Sequence, residues 1–142
     1  MPYQQQPIVK AGTAFKKGSG SGLFHRHNWK TRYLVLTLDT LYYYDHEDGH
    51  LKGSVDLSTS NTSAVEVMPP DCGKTGHSGA SEWRVAINTP DRRFVLAAHS
   101  EKEMREWVNA ITSVLRANEI RWDHPEMHMR SPVSFVHVPA GY

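Results

Sequence analysis

Hydrophobic positions along this chain follow two regimes. Up to Ala98 they come in short runs rich in β-branched and aromatic residues, cut by Gly, Pro and Asp. That pattern predicts strands over Ile8–Phe15, Trp29–Leu38, Leu41–Tyr44, Gly53–Leu57, Ala64–Val67, Trp83–Asn88 and Arg92–Ala98. Asp39-Thr40 suits a hairpin between the second and third, and Thr89-Pro90-Asp91 a turn between the last two. From Ser100 the period changes. Ser100 and Glu103 have the spacing of a capping box, and Met104, Trp107, Val108, Ile111, Val114 and Leu115 form one apolar stripe. This predicts a helix over Glu101–Ala117, with Trp107 in the core. Its stripe has only the preceding sheet to bury it. The fold class is therefore mainly β with one C-terminal α-helix: about seven antiparallel strands, closed or sandwiched, with the helix covering an opening. Residues 1–7 (MPYQQQP) read as a flexible leader. Residues 119–142 read as a tail that docks in part, broken by Pro125, Pro132 and Pro139 but carrying Trp122, Phe135, Val136 and Val138.

Composition adds little until charge is placed on the chain. With 142 residues, 39% apolar and 22% charged, the sequence suits one soluble domain. No apolar run approaches the roughly 20 residues that cross a bilayer. The single cysteine, Cys72, excludes an internal disulfide and points to the cytoplasm. The net charge is +1, yet Lys10, Lys16, Lys17, Arg26, Lys30 and Arg32 fall between positions 10 and 32 without one acidic residue. A segregated basic segment on a nearly neutral chain implies a polyanionic partner.

Motifs for enzyme chemistry do not stand up. His46-Glu47-Asp48-Gly49-His50 fits H-E-x-x-H, but that motif needs a helix, and here it follows a strand and contains the turn pair Asp48-Gly49. Cys72-Gly73-Lys74-Thr75 lacks the earlier glycine of a phosphate-binding loop, because Met68 stands there. His124 and His128 lie four apart beside Met127 and Met129, but Pro125 disrupts a helix. The reading is of a non-enzymatic chain with no cofactor and no metal.

The basic segment has a geometry. Lys30 and Arg32 lie two apart on a strand and so share a face, while Thr31 points to the other. Lys16, on the neighbouring strand, can join them, and the glycine loop KKGSGSGLFHRHN (16–28) supplies N–H groups that can approach phosphate.

The order of elements resembles the pleckstrin homology (PH) domain. Lys10–Gly18 resembles the family's first strand, Trp29–Leu36 its second and Thr40–Tyr44 its third. Arg93–Ser100 with Glu103–Trp107 resembles its last strand and helix. The resemblance covers about residues 8–118 and implies a seven-stranded antiparallel barrel or sandwich capped by the helix. Lys16, a variable loop and Lys30-Thr31-Arg32-Tyr33 resemble the phosphoinositide-binding subset of the family. Tyr43 and Lys52 resemble positions used by members that recognise 3-phosphorylated inositides. The family's Asn/His pair from a longer insertion has no counterpart.

The resemblance thus implies a headgroup site of Lys16, Lys30, Arg32, Tyr43 and Lys52. The partners it implies are phosphoinositide lipids, with soluble inositol phosphates as headgroup mimics. The chain would be cytoplasmic and recruited peripherally to the plasma membrane or endosomes. Lys17, Leu23, Phe24, His25, Arg26 and His27 are candidate auxiliary membrane contacts. Leu23-Phe24 either insert at the interface or pack back on the domain. Protonation of His25 and His27 would strengthen binding as pH falls. The alternative is an adaptor that binds a protein by strand addition or by its helix face, without specific lipid binding. Nucleic acid is not expected, because Tyr42, Tyr43 and Tyr44 alternate faces rather than forming a stacking row.

Overall fold

The computed structural model describes residues 6–18, 29–71 and 80–123. Among the described residues seven strands form one sheet: β1 (Lys10–Lys17), β2 (Trp29–Leu36), β3 (Thr40–Tyr44), β4 (Leu51–Asp56), β5 (Val65–Val67), β6 (Arg84–Asn88) and β7 (Arg93–Ala97). A 3-10 turn at Thr62–Ala64 precedes β5, and one helix, α1 (Glu101–Asp123), follows β7. The sheet runs β4-β3-β2-β1-β7-β6-β5 with antiparallel neighbours throughout.

Of the two arrangements expected, closed or sandwiched, the sheet is not closed: among the described residues β4 and β5 are its edge strands, and no ladder joins them. The helix takes the place of that ladder. It packs on β5, β6 and the 3-10 turn, and its side chains hold the chain that leaves β4. Asn118 Nδ2 donates to the Leu57 carbonyl at 3.1 Å, and Trp122 Nε1 donates to the Ser58 carbonyl at 2.9 Å. Glu119 Oε1 accepts from the Thr62 N–H at 3.4 Å. The helix accordingly runs to Asp123 rather than stopping at Ala117, so the first residues of the expected tail continue it. At its start Ser100 Oγ accepts from the Glu103 N–H at 3.2 Å. The Glu103 carboxylate lies 3.7 Å from His99 Nδ1, so only the serine half of the expected box is seen.

Alternation sorts each strand into a core face and an outer face. Leu34 and Leu36, Leu41 and Tyr43, Val55, Val85 and Ile87, and Phe94 and Leu96 meet Met104, Trp107, Ile111, Val114 and Leu115 of α1 in one buried cluster. Each large apolar side chain so buried stabilises the fold by roughly 1.5–3 kcal/mol. The core face of β1 reads Lys10, Gly12, Ala14, Lys16, with only Ala14 fully buried. Lys10 Nζ lies 4.8 Å from the Trp107 ring centroid, at the end that the helix covers. Lys16 lies at the opposite end.

Tight turns close both ends, the β2–β3 hairpin at the Lys10 end and the β3–β4 and β6–β7 turns at the Lys16 end. Thr37 N–H donates to the Thr40 carbonyl at 2.9 Å, so the β2–β3 hairpin tip is Leu38-Asp39 rather than Asp39-Thr40. Asp45 Oδ1 accepts from the His46 and His50 N–H groups, both at 2.8 Å, and Asp48 has φ 61°. His46-Glu47-Asp48-Gly49-His50 is therefore a hairpin turn, where the helical spacing that converges two imidazoles does not exist. Thr89 N–H and Oγ1 both reach the Arg92 carbonyl, at 2.9 and 3.0 Å, which closes a tip at Pro90-Asp91 and delivers Arg92 to the start of β7.

Candidate functional site

Lys16 and Lys30 are direct partners across β1 and β2, so their side chains rise from the same face. Arg32 is the next residue of β2 on that face and stands opposite Ala14. Tyr43 of β3 forms the floor. Lys16 Nζ lies 5.0 Å from its ring centroid and 5.6 Å from that of Phe94, and the two rings are 5.4 Å apart. Arg92 approaches the same floor: its Cζ is 5.7 Å from the Tyr43 centroid and 5.8 Å from the Phe94 centroid. Its Nη1 donates to the Tyr43 hydroxyl at 3.0 Å.

These cations crowd one another. Lys16 is half-buried, and its pKa is lowered first by that burial and then by the charges of Arg92 and Arg32. Lys16 Nζ donates to the Lys17 carbonyl at 3.2 Å, and Arg32 Nη1 to the Thr31 carbonyl at 3.0 Å. Among the described residues no carboxylate pairs with Lys16, Lys30, Arg32, Lys52 or Arg92. Lys10, Arg93, Lys102 and Arg105 each have one. A cluster of positive charges without carboxylate partners, gathered at one end of the sheet, can attract an anion carrying several charges.

The expected site residues divide accordingly. Lys16, Lys30, Arg32 and Tyr43 are brought together on one face at one end. Lys52 is exposed on β4 where the β3–β4 register slips: Tyr43 pairs with Gly53 and Tyr44 with Leu51, which leaves Lys52 unpaired as a bulge. It lies at the same end, one residue from the Tyr43–Gly53 pair. Lys17 points to the outer face, on the side of Trp29, its partner across β2. There its charge, after the larger effect of Arg93, helps hold the Asp71 carboxyl down to about 2. Leu23, Phe24, His25, Arg26 and His27 lie outside the described residues, as do Cys72, His124 and His128.

Sequence reasoning missed Arg92. The signal was present: Phe94 is apolar and inward, so a residue two before it on the same strand faces inward too. Among the described residues no group of three His, Cys, Asp or Glu could hold a metal, and no helix is long and apolar enough to cross a membrane.

Comparison with known proteins gives the same frame. The PH domain family matches residues 8–116. Pleckstrin-2 from Homo sapiens is 34% identical over 109 residues, which is 73% of this chain and 31% of that protein. Rho GTPase-activating protein 22 from Mus musculus is 30% identical over 122 residues, 82% of this chain and 16% of that protein. The chain thus spans less than a third of the length of these curated relatives. Among solved structures, the C-terminal PH domain of human pleckstrin superposes with TM-score 0.60 at 28% identity, over 80% of this chain and 92% of that one. The C-terminal PH domain of pleckstrin in complex with D-myo-Ins(1,2,3,5,6)P5 superposes with TM-score 0.56 at 27% identity, over 78% of this chain and 98% of that one.

Proposed function

Because the chain belongs to the PH domain family, we propose that its unneutralised cation cluster binds phosphoinositide headgroups and recruits the chain peripherally to membranes. The observation that carries this is the gathering of Lys16, Lys30, Arg32 and Arg92 at one end of the sheet, where among the described residues no carboxylate pairs with them; burial first, and then the charges of Arg92 and Arg32, lower the Lys16 pKa. A polyanion is the partner that would remove the repulsion. The pleckstrin domain crystallised with an inositol pentakisphosphate supports the same ligand chemistry.

In this reading Arg32 and Arg92 grip phosphate oxygens as planar forks, while Lys16 and Lys30 act as point charges. Each charge-assisted hydrogen bond contributes about 1.5–3 kcal/mol net. Lys52 reaches in from the bulge of β4, and Tyr43 adds a neutral hydroxyl between the cations. We assign 3-phosphorylated inositides as the preferred class from the positions of Tyr43 and Lys52. The chain is read as non-enzymatic and cytoplasmic, with no cofactor.

Co-sedimentation with vesicles of each phosphoinositide and of phosphatidylserine tests this, comparing wild type with a Lys30→Ala/Arg32→Ala variant whose thermal melt is intact. The wild type is expected to pellet with 3-phosphorylated vesicles and the variant to stay in solution. Equal pelleting with phosphatidylserine reduces the site to a charged surface. If nothing pellets, the lipid reading fails and the protein-adaptor reading takes its place.

A further inference from the structure

Tyr43 faces Gly53 directly across β3 and β4. A Cβ placed on Gly53 would fall 2.5 Å from Tyr43 Cζ and closer still to its hydroxyl, far inside van der Waals contact. The tyrosine therefore lies across the β4 backbone, at a position that has no side chain to obstruct it. Tyr43 has little room to move elsewhere: it is 7% exposed, packs on Phe94 and has the Lys16 ammonium 5.0 Å from its ring centroid. The only strand irregularity of β4 sits immediately beside this pair, between Tyr43 and Tyr44.

We infer that Gly53 is a positioning residue for the anion site: by lacking a Cβ it lets Tyr43 lie across β4 with its hydroxyl against Arg92. The inference rests on reading the cation cluster as a phosphate site. A tyrosine hydroxyl has one hydrogen and two lone pairs. Since Arg92 Nη1 donates to Tyr43 at 3.0 Å, the contact occupies a lone pair and leaves the hydroxyl hydrogen to donate to an anion. The same contact anchors the Arg92 guanidinium over the floor. Gly53 thus acts on two ligand contacts at once without touching the ligand. Any side chain at 53 would displace the ring, release Arg92 and remove the neutral donor.

The test uses the full chain with Gly53→Ala, Tyr43→Leu and the two combined, reading calorimetric affinity for D-myo-inositol pentakisphosphate together with the thermal melt. Gly53→Ala is expected to weaken binding on the order of tenfold, the scale of one charge-assisted contact. In the Tyr43→Leu background the same substitution is expected to weaken it no further, because its target is gone. Binding unchanged by Gly53→Ala, or weakened equally in both backgrounds, overturns the inference. If Gly53→Ala alone is unfolded, recovery of folding in the double variant supports it and unfolding in both overturns it. A crystal structure of ligand-free Gly53→Ala decides the point even if the wild type binds no inositol phosphate, an outcome that sinks the lipid reading instead. The Tyr43 hydroxyl is expected to leave Arg92; a retained hydrogen bond overturns the inference.

Discussion

The Lys16 ammonium lies 5.0 Å from the centroid of the Tyr43 ring, on the core face of β1 but short of the core itself. Two effects oppose each other there. The aromatic face attracts the cation, by about 0.5–2 kcal/mol depending on how far it is desolvated. Burial and the neighbouring guanidiniums of Arg92 and Arg32 disfavour it, and their net result is a pKa below the usual 10.5.

That direction gives a pH dependence. The folded chain holds the Lys16 proton less tightly than the unfolded chain, so the cost is fully present below the folded pKa. It is relieved as pH rises from there towards 10.5, so the Lys16 contribution to stability rises with pH in that alkaline window. An anion bound at the cluster would raise the pKa again, so binding at alkaline pH is expected to take up protons. Nitrogen-detected NMR titration of Lys16 checks this. Arg92→Gln is expected to move the Lys16 pKa up towards its ordinary value, and no movement would mean that Arg92 does not act on Lys16.

Arg92 gives the second expectation. It combines a hydrogen bond to Tyr43 with a place in the cation cluster. Arg92→Ala is expected to weaken binding of inositol phosphate by roughly tenfold to a hundredfold. The melting temperature is expected to change little, because Arg92 is only half-buried and among the described residues has no ion pair to lose. Titration calorimetry with a parallel thermal melt measures both. An affinity within twofold of wild type would remove Arg92 from the site.

Local pattern made the strands and the shared face of Lys16, Lys30 and Arg32 legible, and tertiary contact made the rest illegible. Trp29–Leu36 and Lys30-Thr31-Arg32 could be read because a period of two fixes which side chains share a face. The helix end could not. Its apolar stripe stops at Leu115, and the residues that extend it to Asp123 do so through Asn118 and Trp122, which bond carbonyls about 60 positions away. The β4 bulge at Lys52 and the approach of Arg92 to Tyr43 likewise arise from strands that meet only in the folded sheet. Whether the sheet closes was left open by the sequence, because seven strands and a helix suit a barrel or an open sheet equally well.

On the outer face, Arg93 forms a two-pronged pair with Asp71 and also reaches Glu66 at 3.3 Å. The Arg93 hydrogen bond is the main cause that holds the Asp71 carboxyl at about 2 instead of 3.8. A depressed carboxylate pKa contributes stability above the unfolded value and loses it as pH falls through the folded one. The pair's contribution is therefore complete well above the unfolded value, shrinks as pH falls, and is gone only below the folded value of about 2. Asp71→Asn is expected to lower the melting temperature at pH 6, and by less and less as pH falls towards 2. A difference as large at pH 2 as at pH 6 would point to packing rather than charge.

Asn118 carries the last expectation. It is 1% exposed within the helix stripe, and its Nδ2 donates to the Leu57 carbonyl at 3.1 Å. The bond holds the chain leaving β4 against α1, at the seam where the sheet fails to close. Replacing Asn118 with leucine removes this donor and leaves the Leu57 carbonyl with the Ser60 N–H alone, at 3.3 Å. A lost intramolecular hydrogen bond costs about 0.5–1.5 kcal/mol, and a bulkier side chain must fit the buried site. Urea denaturation of Asn118→Leu is expected to show a loss of about 1 kcal/mol. The inositol phosphate affinity of the folded variant should be unchanged, because the seam lies at the helix end and the cations at the other. A variant as stable as wild type would mean that the apolar stripe alone docks the helix.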